Sequence, residues 1–322
     1  MVKTLLIIVF ALGLLPVTVT SEREVAGRRI SSIFKRLNRE AQWRQVGAIP
    51  LRFNAHHPQG MVRIGEDFYL SAVEVTRQTR PLPPSDSGRR YDRDEGAGRG
   101  HLIRFNLQGE QLFDLELGKG SIYHPGGIDF DGRHLWVPVA EYRPESRSII
   151  YRIDPFTPDR PTVKEVVRLD DHIGGIVHWI EERTLFGISW GSRRFHLLRP
   201  GTTLRRTLLN PSFYIDYQDC HYLGQGEVIC GGVRPYRRAS DGTKLSLGGL
   251  DLLDLRRGAP IHQLPVEHWT DAGRPLTQNP FWLEPLPAPA DGLRAFFLPE
   301  DGQSTLLIYE IDAERLNPRS LD

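Results

Sequence analysis

The stretch Tyr123-His124-Pro125-Gly126-Gly127-Ile128-Asp129-Phe130, then Asp131-Gly132, then Arg133-His134-Leu135-Trp136-Val137-Pro138-Val139-Ala140-Glu141-Tyr142 decides the fold. It reads as a turn, a short strand, a tight Asp-Gly hairpin and an apolar second strand. Strands at 148–154 and 162–170 follow, so one segment supplies a four-stranded meander. Weaker copies surround it. The first takes 60–65, 67–75, 101–107 and 111–117. The third takes 174–180, 184–190, 195–199 and 204–209, and the fourth takes 218–223, 227–233, 249–255 and 261–266. The fifth has only three strands, 281–286, 293–299 and 305–311. Gly60, Gly127, Gly175, Asp219 and Pro280 hold the equivalent position near the start of each copy. Self-similarity of this kind is the signature of propeller blades.

The fifth copy lacks its outermost strand, and a lone strand at 43–53 lacks a copy. Joining the two closes the ring and leaves only short, protected edges. The expected fold is therefore all-β: a five-bladed β-propeller, with six blades as the alternative, closed by an N-terminal strand. Before that strand, residues 24–39 place Val25, Ile30, Ile33, Phe34 and Leu37 at helical spacing, which predicts a short amphipathic helix. Composition agrees: 31 glycines and 24 prolines favour many short strands joined by turns. A net charge of +1 in a chain of 322 residues gives no basic excess for nucleic acid, so no nucleic-acid partner is expected.

The chain opens with Lys3 and an apolar run over 4–19, the pattern of a secretory signal peptide cut near Thr20 or Ser21. Its apolar core, 5–15, is short beside the ~20 residues of a spanning helix. The expected division is 1–20 signal peptide, 21–42 helical segment and 43–322 propeller. The expected location is secreted or periplasmic, with no membrane association once the leader is cut. Cys220 and Cys230 flank what reads as a hairpin turn and face each other across it. A disulfide and two buried thiols are both open readings.

In a four-stranded meander the start of the innermost strand and the end of the second lie at one edge. Innermost-strand starts hold His57, His124, His172, Asp216 and Thr277; second-strand ends hold Glu74, Glu141, Gly191, Arg234 and either Glu300 or Asp301. His57, His124 and His172 with nearby carboxylates could hold one divalent metal ion. A metal-bound water would then hydrolyse an ester, lactone or phosphoester, with Glu74 or Glu141 as general base. A histidine at this position can equally tie one blade to the backbone of the next. The loops on this face, 77–99, 143–147, 192–194 and 235–244, are rich in arginine. They predict a small anionic molecule or saccharide bound in the central funnel by His57, His124, His172, Asp216 and Arg234. A protein-interaction scaffold using the rim loops is the third reading. The long loop at 77–100 reads as a lid or rim. Gly187-Ile188-Ser189-Trp190-Gly191 fits a nucleophile elbow only in letters, because a strand and not a helix follows it.

The run His124-Pro125-Gly126-Gly127-Ile128-Asp129, the segment Val137-Pro138-Val139-Ala140-Glu141-Tyr142 and Asp171-His172-Ile173-Gly174-Gly175 together resemble a family of exported propeller proteins with a domain of unknown function. The resemblance runs from about Trp43 to the end. It implies a propeller and export, and brings no catalytic residues with it. A looser similarity is to gluconolactonase-type propellers, six-bladed metal-dependent hydrolases. Their acidic and amide metal cluster is replaced here by histidine where the innermost strands start.

Overall fold

Inner strands buried along most of their length and outer strands that alternate need different surroundings, and the ring provides both. The computed structural model describes residues 17–83, 91–157, 161–201 and 204–313. A helix, α1 (Val17–Phe34), leads into β1 (Trp43–Pro50). Blade 1 is β2 (His57–Ile64), β3 (Asp67–Arg77), β4 (Ala97–Phe105) and β5 (Gln111–Leu117). Blade 2 has a split inner strand, β6 (His124–Pro125) and β7 (Asp129–Phe130), then β8 (Leu135–Ala140), β9 (Ser148–Asp154) and β10 (Thr162–Leu169). Blade 3 is β11 (Ile173–Trp179), β12 (Thr184–Ser189), β13 (Arg194–Leu198) and β14 (Leu204–Leu209). Blade 4 is β15 (Asp216–Gly224), β16 (Glu227–Arg237), β17 (Lys244–Asp254) and β18 (Ala259–Val266). Blade 5 is β19 (Phe281–Pro285), β20 (Gly292–Phe297), β21 (Thr305–Asp312) and, outermost, β1.

The described residues thus form five blades, and the ring closes as the sequence predicts. β1 pairs antiparallel with β21, from Trp43 opposite Ile311 to Pro50 opposite Thr305. Strands β8 and β12 are buried at every residue, because each lies between two neighbouring blades. The outer strands alternate, since one of their faces meets solvent. Each gap between blades holds one apolar cluster. Trp136, Ile150, Ile173 and Leu185, for example, fill the gap between blades 2 and 3. The cluster between blades 4 and 5 is enlarged by Ile30, Ile33, Phe34 and Leu37, which pins α1 to one end of the ring.

The helix departs from expectation at both ends. It starts at Val17, inside the expected leader, and stops at Phe34, not Arg39. Past Phe34 the bonds shorten to turns, with Arg36 N donating to Ile33 O at 3.0 Å and Leu37 N to Phe34 O at 3.1 Å. Leu37 is therefore buried by a turn, which keeps the apolar rhythm without a helix. Among the described residues no helix is long and apolar enough to cross a membrane. Cys220 and Cys230 stand opposite each other on β15 and β16 and form a disulfide.

Glycine lets the inner strands meet on the axis. A Cβ on Gly126 would lie 2.2 Å from Gly174 O, and one on Gly60 would lie 2.5 Å from Ile128 N. Gly127 N donates to Gly174 O at 2.9 Å and Ile176 N donates to Gly127 O at 3.1 Å, a parallel bridge between blades 2 and 3. This bridge is why the inner strand of blade 2 is split. From blade 4 the Asp219 carboxylate accepts Met61 N at 2.9 Å and Ile128 N at 3.1 Å, joining blades 1, 2 and 4. These contacts draw the inner strands together on the axis, between the two mouths of the ring.

Candidate functional site

The starts of three consecutive inner strands bring His57, His124 and His172 to one mouth. The His57 and His124 ring centroids lie 6.3 Å apart, and those of His124 and His172 lie 6.2 Å apart. Their hydrogen bonds differ. His57 Nδ1 meets Asp301 Oδ1 at 2.8 Å, and Asp301 also accepts Arg274 Nη1 at 3.0 Å and Asn279 Nδ2 at 3.2 Å. Burial works against the Asp301 charge, but His57, Arg274 and Asn279 outweigh it and hold that carboxyl at about 2. Asp301, rather than Glu300, is thus the blade 5 carboxylate that reaches this mouth.

His172 is a tie between blades. Its Nδ1 is 2.8 Å from Glu141 O, and a carbonyl only accepts, so Nδ1 carries the proton and donates. Burial pushes this imidazole down to about 4, which leaves it neutral at pH 7. His124 has no such tie. It is buried, stacks on Tyr142 with centroids 4.3 Å apart, and neither ring nitrogen has a hydrogen-bond partner in the protein. Burial, with His172 and His57 beside it, holds His124 well below the usual histidine range. An unsatisfied polar atom in such a place costs about 1–3 kcal/mol.

The surround is aromatic and cationic. Trp190 sits edge-on to His172 at 4.8 Å and 5.8 Å from Tyr142, and Arg93 Cζ lies 5.3 Å from the Trp190 ring centre. Arg93 arrives on the long loop of blade 1. That loop is anchored by Tyr123 Oη donating to Glu95 O at 2.7 Å and by Arg143 Nη1 on Glu95 at 3.2 Å. Its segment 91–96 therefore reaches across blades 2 and 3 at this mouth, as a lid or rim would; its tip, 84–90, lies outside the described residues.

The two candidate glutamates lie apart from the histidines. Glu141 is wholly buried, and Ser121, Arg143 and Arg147 take both of its oxygens at 2.5–3.1 Å. Burial opposes its charge, but these donors prevail and its carboxyl titrates below the usual range. A carboxylate so saturated has no lone pair left for a substrate proton, and its part at this mouth is to aim its own backbone carbonyl at His172. Glu74 pairs with Arg99 Nε at 2.8 Å and stands 3.9 Å from His101, in a cluster completed by Asp114 and by His56 stacked on His101. Asp216 faces Arg193 at 3.5 Å; burial raises its carboxyl, and Arg193 and Arg234 pull the other way. Arg234 is exposed beyond it. Thr277, the blade 5 counterpart of these strand-start residues, is buried and bridges Gly232 O and Gly249 N, a structural role.

The metal reading lacks its cage. Among the described residues no group of three or more His, Cys, Asp or Glu side chains is arranged to hold a metal ion. His57, His124 and His172 share a mouth but do not fit a divalent cation: His172 Nδ1 is spent on the Glu141 carbonyl, and neighbouring ring centroids stand 6.2–6.3 Å apart. Sequence reasoning missed Tyr142, Trp190 and Arg93. Parity offered a signal for Tyr142, since a residue next to Glu141 in an extended chain points to the opposite face.

Residues 20–314 match the family described as "Family of unknown function (DUF6454)", and the chain belongs to that family. No curated protein matches it. Similar solved structures include a hypothetical protein from Leishmania major, 12% identical with a TM-score of 0.46, over 84% of this chain and 90% of that one. A luciferin-regenerating enzyme is 9% identical with a TM-score of 0.45, over 84% of this chain and 95% of that one. The periplasmic gluconolactonase of Pseudomonas aeruginosa is 14% identical with a TM-score of 0.34, over 79% and 85%. At these values the likenesses carry no statement about activity.

Proposed function

We propose that this member of a family of unknown function is an exported binding protein that takes a small anionic molecule, such as an acidic saccharide, at the histidine mouth. The observation that carries the reading is His124, buried with both ring nitrogens unpartnered between two other imidazoles. One nitrogen can donate and the other accept, which suits a ligand bearing hydroxyls. An anion would also stabilise the protonated ring, so binding draws in a proton. Tyr142 and Trp190 offer the faces on which a sugar ring packs, and Arg234 supplies positive charge at the rim, whereas Arg93 over Trp190 is paired with Asp92. Export is supported by the apolar start of the chain and by the Cys220–Cys230 disulfide, a bond that persists in oxidising compartments. Fractionation of the source cells tests it: protein retained in the cytoplasm with its full N-terminus overturns export.

Calorimetric titration with D-glucuronate, beside D-glucose, tests the ligand. We expect glucuronate to bind more tightly, with proton uptake and with weaker binding as the pH rises from 5 to 8. His124→Ala should abolish binding, and Arg234→Ala should weaken it and flatten its salt dependence. Equal binding of the two sugars removes the anionic class. Binding that survives His124→Ala removes this mouth.

A further inference from the structure

The mouth at the opposite end of the axis holds a cavity of about 690 Å³, within the ~300–1,000 Å³ usual for small-molecule sites. It exists because α1 leans against blades 4 and 5 and leaves the ends of the inner strands of blades 1 and 2 uncovered. Ala26 and Ile30 of the helix form one wall; Ile64, Phe130 and Phe156 face them, with Trp282 from blade 5. The lining is mostly apolar. Its polar exceptions are Glu22, Arg23, Arg63, His221 and Glu284.

Three of these carry the same anomaly. Arg23 Nη1, Arg63 Nε and His221 Nδ1 are buried without a hydrogen-bond partner. The remainder of each side chain is firmly held. Arg23 Nη2 reaches Asp129 at 3.1 Å, Arg63 Nη1 reaches both Glu284 oxygens at 3.0 and 3.1 Å, and His221 Nε2 donates to Phe281 O at 2.8 Å. The held contacts orient the groups, and the unpartnered atoms belong to side chains that line one apolar space. The two arginines are each balanced by a carboxylate. His221, whose side chain is 4% exposed, also lies 3.4 Å from Asp219. Burial opposes its charge, but Asp219 and Asp129 outweigh it and hold the ring above the usual histidine range. With Nε2 engaged, the proton this adds sits on Nδ1.

We propose that this cavity is a second binding site, distinct from the histidine mouth, for an amphipathic monocarboxylate: the apolar body between α1 and blades 1 and 2, the carboxylate on Arg23, Arg63 and His221. The cavity's length of apolar wall excludes a small, fully polar anion. Unpartnered donors on three of the lining side chains argue against a purely apolar guest, which would leave them unsatisfied.

The test uses the purified protein, decanoate, decanol and the fluorescent apolar sulfonate 8-anilinonaphthalene-1-sulfonate. Decanoate should displace the dye at least tenfold more effectively than decanol. Ala26→Trp, which fills the space, and Phe156→Asp, which sets a negative charge at the exposed rim, should each weaken decanoate at least tenfold. His124→Ala should leave it unchanged. Phe156 is 59% exposed, so its replacement keeps the test intact if Ala26→Trp fails to fold. Equal displacement by decanoate and decanol overturns the carboxylate; unchanged decanoate binding in Phe156→Asp overturns the site. Loss of decanoate binding in His124→Ala merges this site with the first and overturns its independence.

Discussion

At the histidine mouth, inner strands begin, and burial keeps His172 and His124 uncharged. At the helix mouth the same strands end, and the buried groups near the axis are carboxylates, Asp129 and Asp219, whose oxygens hold backbone amides of other blades. Burial raises both carboxyls. A lowered imidazole favours unfolding as acid is added, because the unfolded chain takes its proton first. A raised carboxyl does the reverse, because the folded chain takes its proton first. Opposite responses to acid therefore sit along one axis: at the histidine mouth burial dominates two imidazoles, whereas at the other end Asp129 and Asp219 are buried as acids and raise the neighbouring His221.

The comparison breaks most readily at Asp219. Asp219→Ala strands the Met61 and Ile128 amides, and at about 1–3 kcal/mol for each unsatisfied group the loss is about 2–6 kcal/mol. Urea unfolding measures it; a loss below about 1 kcal/mol, less than one stranded amide should cost, means that the carboxylate does not tie the blades. At the other end, His172 near 4 against about 6.5 in the unfolded chain supplies stability that is complete above pH 6.5 and drains away toward pH 4. The stability difference between wild type and His172→Gln should accordingly shrink by about 3 kcal/mol from pH 7 to pH 4. A constant difference shows that the ring titrates normally. The smallest effect sharpens the role of α1. Arg36 makes a paired contact with Asp291, but about half of its side chain is exposed, so Arg36→Ala should cost only about 0.2–1 kcal/mol by thermal unfolding. A larger loss would move the anchoring of α1 from Phe34 and its apolar neighbours to that ion pair.

Much of the ring was legible, because its plan is written in a repeated local code: a glycine-rich turn, an apolar run, a hairpin and a second apolar run. His57, His124 and His172 meet at one mouth as meander geometry requires. The pairing of His124 with Glu141 failed for a reason as local as the code. His124 is opposite Ala140 in the ladder, so Glu141 lies just past the paired residue, and its buried carboxylate ends in the cage of Ser121, Arg143 and Arg147. The arginines read as a field for a ligand are largely engaged within the protein, as Arg143 is with Glu141 and Arg194 with Asp171. The cavity beside α1 was not legible at all. It depends on how a helix docks across blades 4 and 5, a long-range packing outcome that periodicity within residues 24–39 does not encode.

Ring closure also has a consequence in time. β1 is made early and β21 near the end of the described chain, yet the two share one ladder. At roughly 5–20 residues per second of synthesis, the first strand waits with an open hydrogen-bonding edge until nearly the whole chain has emerged. A product that stops short of residue 305 has four complete sheets and no latch. Incomplete chains would therefore show an unpaired β1 and an open edge on β20, two marks that quality control can recognise.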